Sequence, residues 1–213
     1  MTSTPSTARI ERLVTAGLFS LDGQDFEVEN NVWLVGDADE VLVVDAAHDP
    51  AAILAAVGSR RLVAVLCTHG HNDHIDAAVA VSDATGAPVL LHPDDRMLWD
   101  VVHPDRAPQP LADGEVIEVA GQQLTVLHTP GHSPGAVSAY APGLDVLFSG
   151  DTLFCGGPGA TGRSFSSFPT ILESIRTRLL ALPARTRVLT GHGDETTIGD
   201  EASSYDEWVA RGH

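Results

Sequence analysis

Four side chains able to bind a metal fall within six positions, His69, His71, Asp73 and His74, in Thr68-His69-Gly70-His71-Asn72-Asp73-His74. Imidazoles and carboxylates are the ligands that borderline divalent cations such as zinc accept at neutral pH. Side chains alternate along an extended backbone, so His69 and His71 project to one side. Asp73 and His74 fall where the chain turns into an Ala/Val-rich helix and can face a second point. Asp73 alone would read as a helix N-cap. The four together read as two pairs of ligands, one pair for each of two cations. Three more groups follow apolar runs further on: His132 in Thr-Pro-Gly-His, Asp151 in Ser-Gly-Asp-Thr and His192 in Thr-Gly-His-Gly. They complete a dinuclear set, with His69, His71 and His132 on one cation, Asp73, His74 and His192 on the other, and Asp151 bridging. No thiolate is needed, so zinc comes first while iron and manganese stay open.

Such a pair of cations has a definite chemistry. A water between them loses a proton near neutrality, and the resulting hydroxide attacks a carbonyl that one cation polarises. Asp73 and Asp151 are the carboxylates placed to take part. A thiol with a pKa of about 8.5 leaves as thiolate without a strong general acid, so a thioester suits this site better than an amide. Two competing motifs fail on chemistry. Gly131-His132-Ser133-Pro134-Gly135 has the form of a nucleophile elbow, but Pro134 has no N–H for the oxyanion hole. Gly157-Pro158-Gly159-Ala160-Thr161-Gly162 has the form of a dinucleotide loop, but neither the opening helix nor the later acidic residue follows. It reads as a mobile loop beside the metals, and Arg163 just after it is either a solvated cation or a contact for an anionic part of the substrate.

The elements that must position these groups are short. Strands are expected at Val32–Val35, Val41–Val44, Leu62–Cys67, Pro88–Leu91, Val116–Val119, Leu124–Leu127, Ala136–Tyr140, Val146–Phe148 and Arg187–Thr190. Ile10–Ser20 and Phe26–Val28 read as an antiparallel pair turned by Asp22-Gly23. Helices are expected over Pro50–Val57, capped by Asp49, from the histidine loop to about Ala84, over Thr170–Leu182 and over Asp200–Val209. The Pro-rich region 93–114 reads as a surface loop, a lip over a pocket. His92 and His103 lie outside any ligand-like spacing. Asp45 ends its strand either as a loop cap or as a group steering a ligand-bearing loop. The rhythm fits two sheets packed face to face, helices outside both, and loops gathered at one edge. Residues 1–8 are expected to be disordered and 9–213 to form a single domain.

Composition narrows the function classes. The formal net charge is −17, and all 12 basic side chains are Arg. That charge repels phosphate backbones and anionic membranes, which argues against nucleic-acid and membrane partners. Cys67 ends a buried run and Cys155 lies in a loop, so the two make no disulfide framework. With no run of about 20 apolar residues and no signal-peptide core at the start, the expected location is the cytoplasm.

The residues as a set resemble the metallo-β-lactamase superfamily. Thr68-His69-Gly70-His71-Asn72-Asp73-His74 is similar to its H-x-H-x-D-H signature, and Asp45, His132, Asp151 and His192 match its other motifs in order. The resemblance implies a four-layer αββα sandwich of two mixed sheets in the α+β class, and a dinuclear metal site. His71 stands where the flavodiiron branch has a carboxylate. Asp151 stands where the best-known lactamases carry cysteine, so antibiotic hydrolysis is not expected. Thr-Pro-Gly-His-Ser-Pro-Gly and Gly-Asp-Thr-Leu-Phe resemble glyoxalase II, a hydrolase of glutathione thioesters. Only a short tail follows His192, where that family adds a helical domain with basic substrate-binding residues. Asn31–Gly36 and Gly159–Phe165 resemble short actinobacterial relatives, from bacteria whose low-molecular-weight thiol is mycothiol. The expectation is a thioesterase acting on an acyl or hydroxyacyl conjugate of a small thiol, with mycothiol among the carriers. The alternatives are a persulfide dioxygenase with one iron on His69, His132 and Asp151, and a hydrolase of another ester or a lactone.

Overall fold

A computed structural model of the chain describes residues 8–212. The N-terminal stretch expected to be disordered lies outside the described residues, except for Ala8, which is buried.

Six strands form a first sheet in chain order: β1 (Arg9–Leu21), β2 (Gln24–Gly36), β3 (Glu40–Val44), β4 (Arg61–Leu66), β5 (Val89–Leu91) and β6 (Gln109–Pro110). β1 to β3 run antiparallel, and β3 to β6 run parallel. Helices α1 (Pro50–Val57), α2 (Asn72–Ile75), α3 (Ala78–Thr85) and α4 (Arg96–Val102) belong to this half. The second half supplies β7 (Val116–Val119), β8 (Gln122–His128), β9 (Val137–Ala141) and β10 (Val146–Gly150), a small hairpin of β11 (Leu153–Phe154) and β12 (Gly157–Pro158), and α5 (Phe168–Ser174), which runs on as a π turn over Ile175–Leu179. β13 (Arg187–Thr190), β14 (Thr196–Thr197), α6 (Ile198–Ala202) and α7 (Tyr205–Arg211) complete it. The second sheet has the order β14-β13-β10-β9-β8-β7.

Strand alternation sorts the apolar residues into layers. On β3, Val41 and Val43 face α1 and α3, while Leu42 and Val44 face the other sheet. On β10, Val146 and Phe148 face inward, and Leu147 faces Ile171, Ile175 and Trp208 on the outer helices. Helix, sheet, sheet and helix are thus four layers with three apolar seams, the metallo-β-lactamase fold.

Several local expectations are corrected. The 93–114 region is no bare loop: Pro93 opens a short 3-10 turn, and α4 buries Leu98 and Trp99. The two runs Phe26–Val28 and Val32–Val35 belong to one strand, β2, which passes through the polar residues 29–31. The helix expected after the histidine loop is two pieces, α2 and α3. The C-terminal helix is likewise broken, into α6 and α7. Cys67 is buried and Cys155 exposed. Among the described residues, no helix is long and apolar enough to cross a membrane.

Candidate metal centre

Parallel pairing puts the carboxyl ends of β3 and β4 at one edge, and those of β10 and β13 at the matching edge of the second sheet. β8 lies antiparallel to β9, and β9 to β10, so the end of β8 joins them. The loops leaving β4, β8, β10 and β13 carry His69 to His74, His132, Asp151 and His192. Backbone bonds stitch the two edges together: Val137 N–H donates to Thr68 O at 2.7 Å, and Asn31 N–H to Gly191 O at 2.7 Å. Gly191 is required by close approach. A Cβ there would lie 2.2 Å from Asp151 Oδ1 and 2.7 Å from His74 Cε1.

All seven expected ligands converge. His69 Nε2 and His132 Nε2 each lie 3.0 Å from His71 Nδ1. His74 Nε2 and His192 Nε2 are 3.2 Å apart, and Asp73 Oδ2 is 3.5 and 3.3 Å from them. Asp151 sits between the groups, with Oδ1 3.4 Å from His74 Nε2 and Oδ2 3.4 Å from His192 and 3.6 Å from His132. Four of the rings have their outer nitrogen fixed on an oxygen: His69 on Thr68 Oγ1 at 3.1 Å, His74 on Asp45 Oδ2 at 3.0 Å, His132 on Ala160 O at 2.9 Å and His192 on Glu29 O at 2.7 Å. Donating there leaves a lone pair on the inner nitrogen. Lone pairs packed about 3 Å apart repel unless a cation or shared proton lies between them. Asp73 Oδ1 and Asp151 Oδ1 are buried with no hydrogen-bond partner. Donor set, spacing and orphaned carboxylate oxygens therefore fit a pair of divalent cations.

Electrostatics divides the site in two. Burial first, then the neighbouring rings, keeps His69 well below the usual histidine range and His71 at about 3, so these two rings are neutral and ready to ligate. Burial would also lower His192, but Asp151 and Asp73 outweigh it and lift the ring to about 10. Burial likewise opposes the rise at His74, where Asp151, Asp73 and Asp45 prevail. On the carboxylates the balance is mirrored. Burial would raise both, yet His74 and His192 hold Asp73 at about 2 and Asp151 well below its ordinary value. The second trio holds protons where a cation would put its own charge.

Asp45 serves both functions open to it. At φ +57° it accepts Thr68 N–H and Oγ1–H, each at 2.7 Å, and orients His74. Asp73 makes no cap: the N-cap position of α2 is His71, and Asp73 turns inward. Arg163 lies with its guanidinium 4.7 Å over the Phe26 ring, while the adjacent Ser164 donates to Asp22 at the β1–β2 tip at 2.7 Å. His92 stacks on His128 and His103 bonds Ile75 O, both outside the centre.

Sequence reasoning missed four residues. Asp95 is buried and accepts from Gly70 N–H, Ser133 Oγ–H and Gly135 N–H, tying the His69–His71 loop to the His132 loop. Asn30, His48 and Asp76 form a hydrogen-bonded row ending at Asp73. His48 was visible beside Asp45 but has no ligand spacing, and nothing in the pattern marks the other three. Beside His71 opens a cavity of about 310 Å³, walled by Leu21, Leu98, Val101, Val102 and Phe165, with Asp22 and Asp25 at its hairpin side.

Comparison with known proteins agrees with this geometry. The hydroxyacylglutathione hydrolase of Pseudomonas aeruginosa is 38% identical, over 77% of this chain and 62% of its own length. The crystal structure of BLEG-1 B3 metallo-beta-lactamase superposes with a TM-score of 0.76 at 31% identity, covering 92% of this chain and all of that one. The crystal structure of TTHA1623 in a di-iron-bound form gives 0.73 at 34% identity, covering 82% and 93%. The model of the metallo-beta-lactamase superfamily matches residues 26–192, from the tip of β1–β2 to the last histidine of the centre, and the chain belongs to that superfamily.

Proposed function

We propose that the protein is a metal-dependent thioesterase of the glyoxalase II type, acting on an acyl conjugate of a low-molecular-weight thiol. The observation that carries this reading is the double ligand set, one member of which, His71, lines the 310 Å³ cavity. When bound, two divalent cations supply a water acidified toward neutrality and a Lewis acid for the carbonyl. His69, His71 and His132 would hold one, Asp73, His74 and His192 the other, with Asp151 shared.

The chain's own groups do the rest. Leu98, Val102 and Phe165 keep water from an acyl group lodged beside His71. With Asp73 held at about 2 and Asp151 well below its ordinary value, both stay ionised at working pH, so they offer lone pairs to a cation and supply no proton. A thiolate departs without an acid, matching a centre in which Asp73 and Asp151 are held ionised. The 38% identity to the Pseudomonas aeruginosa hydroxyacylglutathione hydrolase supports the reaction class. The small-thiol carrier, with mycothiol a candidate, and a cytoplasmic location belong to the same proposal.

The test is a panel of acyl-thiol conjugates offered to metal-loaded protein. Turnover of several with release of free thiol is expected, and failure on all of them overturns the reading. A persulfide dioxygenase is the second reading. It is favoured by His69, His132 and Asp151 lying together as two imidazoles and a carboxylate, the donor set of mononuclear iron oxygenases. One iron per chain with sulfide-dependent oxygen uptake would select it over two cations with thiol release.

A further inference from the structure

We infer that Asn30 is an additional ligand of the second cation, through its amide oxygen, and that His48 and Asp76 hold it in that role. The inference rests on the dinuclear reading of the centre and adds a residue to it.

Geometry comes first. Asn30 Nδ2 faces the centre, donating to Asp73 Oδ2 at 3.0 Å and lying 3.3 Å from His74 Nε2 and 3.4 Å from His192 Nε2. Those three atoms are themselves 3.2 to 3.5 Å apart. Four atoms with six edges of 3.0 to 3.5 Å are the corners of a near-regular tetrahedron. A tetrahedral ion with bonds of about 2.0–2.1 Å needs ligand atoms about 3.3 Å apart. Asn30 therefore stands at a corner of the second coordination shell, and it is fully buried.

Chemistry decides which amide atom faces inward. The two ends of the amide exchange places by a half-turn of the terminal group, with no other movement. With nitrogen inward, the NH2 donates to Asp73 Oδ2 but would meet a bound cation head-on. With oxygen inward, it is a hard neutral ligand. The far end agrees with the second orientation. His48 donates Nδ1–H to Asp76 Oδ2 at 3.0 Å, and its backbone N–H donates to Asp76 Oδ1 at 2.6 Å. With its one proton on Nδ1, the ring turns the Nε2 lone pair toward Asn30 Oδ1 at 2.9 Å, an acceptor facing an acceptor that a half-turn of the amide relieves. The atom facing His48 is then nitrogen, and the oxygen points to the trio. The ring cannot easily shift. His48 sits at φ +61°, and it packs so closely on Gly17 that a Cβ there would fall 2.2 Å from its Nδ1.

One consequence concerns the metal. Asp73, His74, His192 and Asn30 make four ligands, and Asp151, 3.4 Å from both rings, makes a fifth. Three of the five are oxygens, a set that suits iron or manganese better than four-coordinate zinc.

Metal-stripped protein titrated with Mn2+ alone, by equilibrium dialysis and electron paramagnetic resonance, tests this. Wild type should take up two ions. Asn30→Leu, similar in size but without the oxygen, should lose about 10- to 100-fold in affinity for the second ion and keep the first. Asn30→Asp restores an oxygen at the same corner and should bind the second ion at least as tightly as wild type. Equal second-ion affinity in wild type and Asn30→Leu overturns the inference. So does a loss in Asn30→Asp as large as in Asn30→Leu, and Asn30→Asp alone decides the matter if the leucine variant does not fold. Uptake of a single ion by wild type defeats the dinuclear reading itself, and the inference with it.

Discussion

Asp151 is the residue on which both halves of the centre depend, because its two oxygens reach His74 on one side and His132 and His192 on the other. Asp151→Ala removes the shared ligand, so each cation should bind at least about 10-fold more weakly and hydrolysis should fall further still. A second readout needs no metal. Asp151 heads the groups that lift His192 to about 10, so in the stripped variant that ring should titrate at a clearly lower pH than in the stripped wild type, as followed by NMR. An unmoved His192 would contradict the electrostatic account. The same shift has a stability consequence with a fixed sign. His192 has a raised pKa in the folded state, so its contribution is complete below pH about 6.5 and is lost as pH rises through about 10. Asp73, depressed to about 2, contributes above its ordinary value and loses that contribution only as pH falls through about 2. Stripped protein should therefore melt at progressively lower temperature between pH 6.5 and 10, as scanning calorimetry would record. The cation-loaded form, with the protons displaced, should show a flatter profile over the same window.

Among the elements, the long β1–β2 hairpin and the loop after β12 meet over the cavity. Their contacts are Ser164 with Asp22 and Arg163 over Phe26, and Phe165 from the same loop lines the cavity wall. Phe165 is 55% exposed, so only part of its ring is available to a bound acyl group. Losing about half the value of a buried aromatic side chain, near 1 kcal/mol, should raise KM for an apolar acyl thioester about fivefold in Phe165→Ala. With the metal ligands untouched, kcat should stay within about twofold; a collapse of kcat with unchanged KM would place the acyl group elsewhere. The hairpin also shows where the sequence could and could not be read. Asp22-Gly23 announced the turn, and the apolar runs announced β3, β4 and β10, because two-sided burial demands unbroken apolar strands. Residues 29–31 looked like a break in β2, since polar residues inside a strand are ordinarily a sign of its end. Here Asn30 and Asn31 are buried and bonded, Asn30 at the second trio and Asn31 Nδ2 to Thr190 O, while Glu29 is exposed and lends only its backbone oxygen to His192. α4 was hidden for another reason. Seven residues with two buried side chains, behind a proline-rich approach, carry too little periodicity to show.

At the scale of the whole molecule, the centre is a clamp between two sheets. His69 to His74 arrive from the first sheet, and His132, Asp151 and His192 from the second. Behind them the inner seam of Leu42, Val44, Leu66, Leu124, Val126 and Phe148 joins the same sheets without help from metal. That seam should carry the fold by itself, since apolar burial on this scale is the dominant favourable term in folding. The ligand loops are held instead by polar contacts, those of Asp45 and Asp95 and the backbone bonds across the two edges. Their lone pairs and carboxylates repel or share protons until a cation joins them, so the loss from stripping should be local. Each cation present at about 100 times its dissociation constant adds about 2.7 kcal/mol, which for a chain of this size is a rise of about 5–10 °C in melting temperature per bound ion. Hydrogen exchange should locate the effect. Stripping should deprotect the segments 68–76, 129–135, 150–156 and 190–194 while β3, β8 and β10 keep their protection. Loss of protection spread evenly over both sheets would mean that the metals support the sandwich as a whole, and the division between an apolar seam that folds and a polar edge that reacts would have to be abandoned.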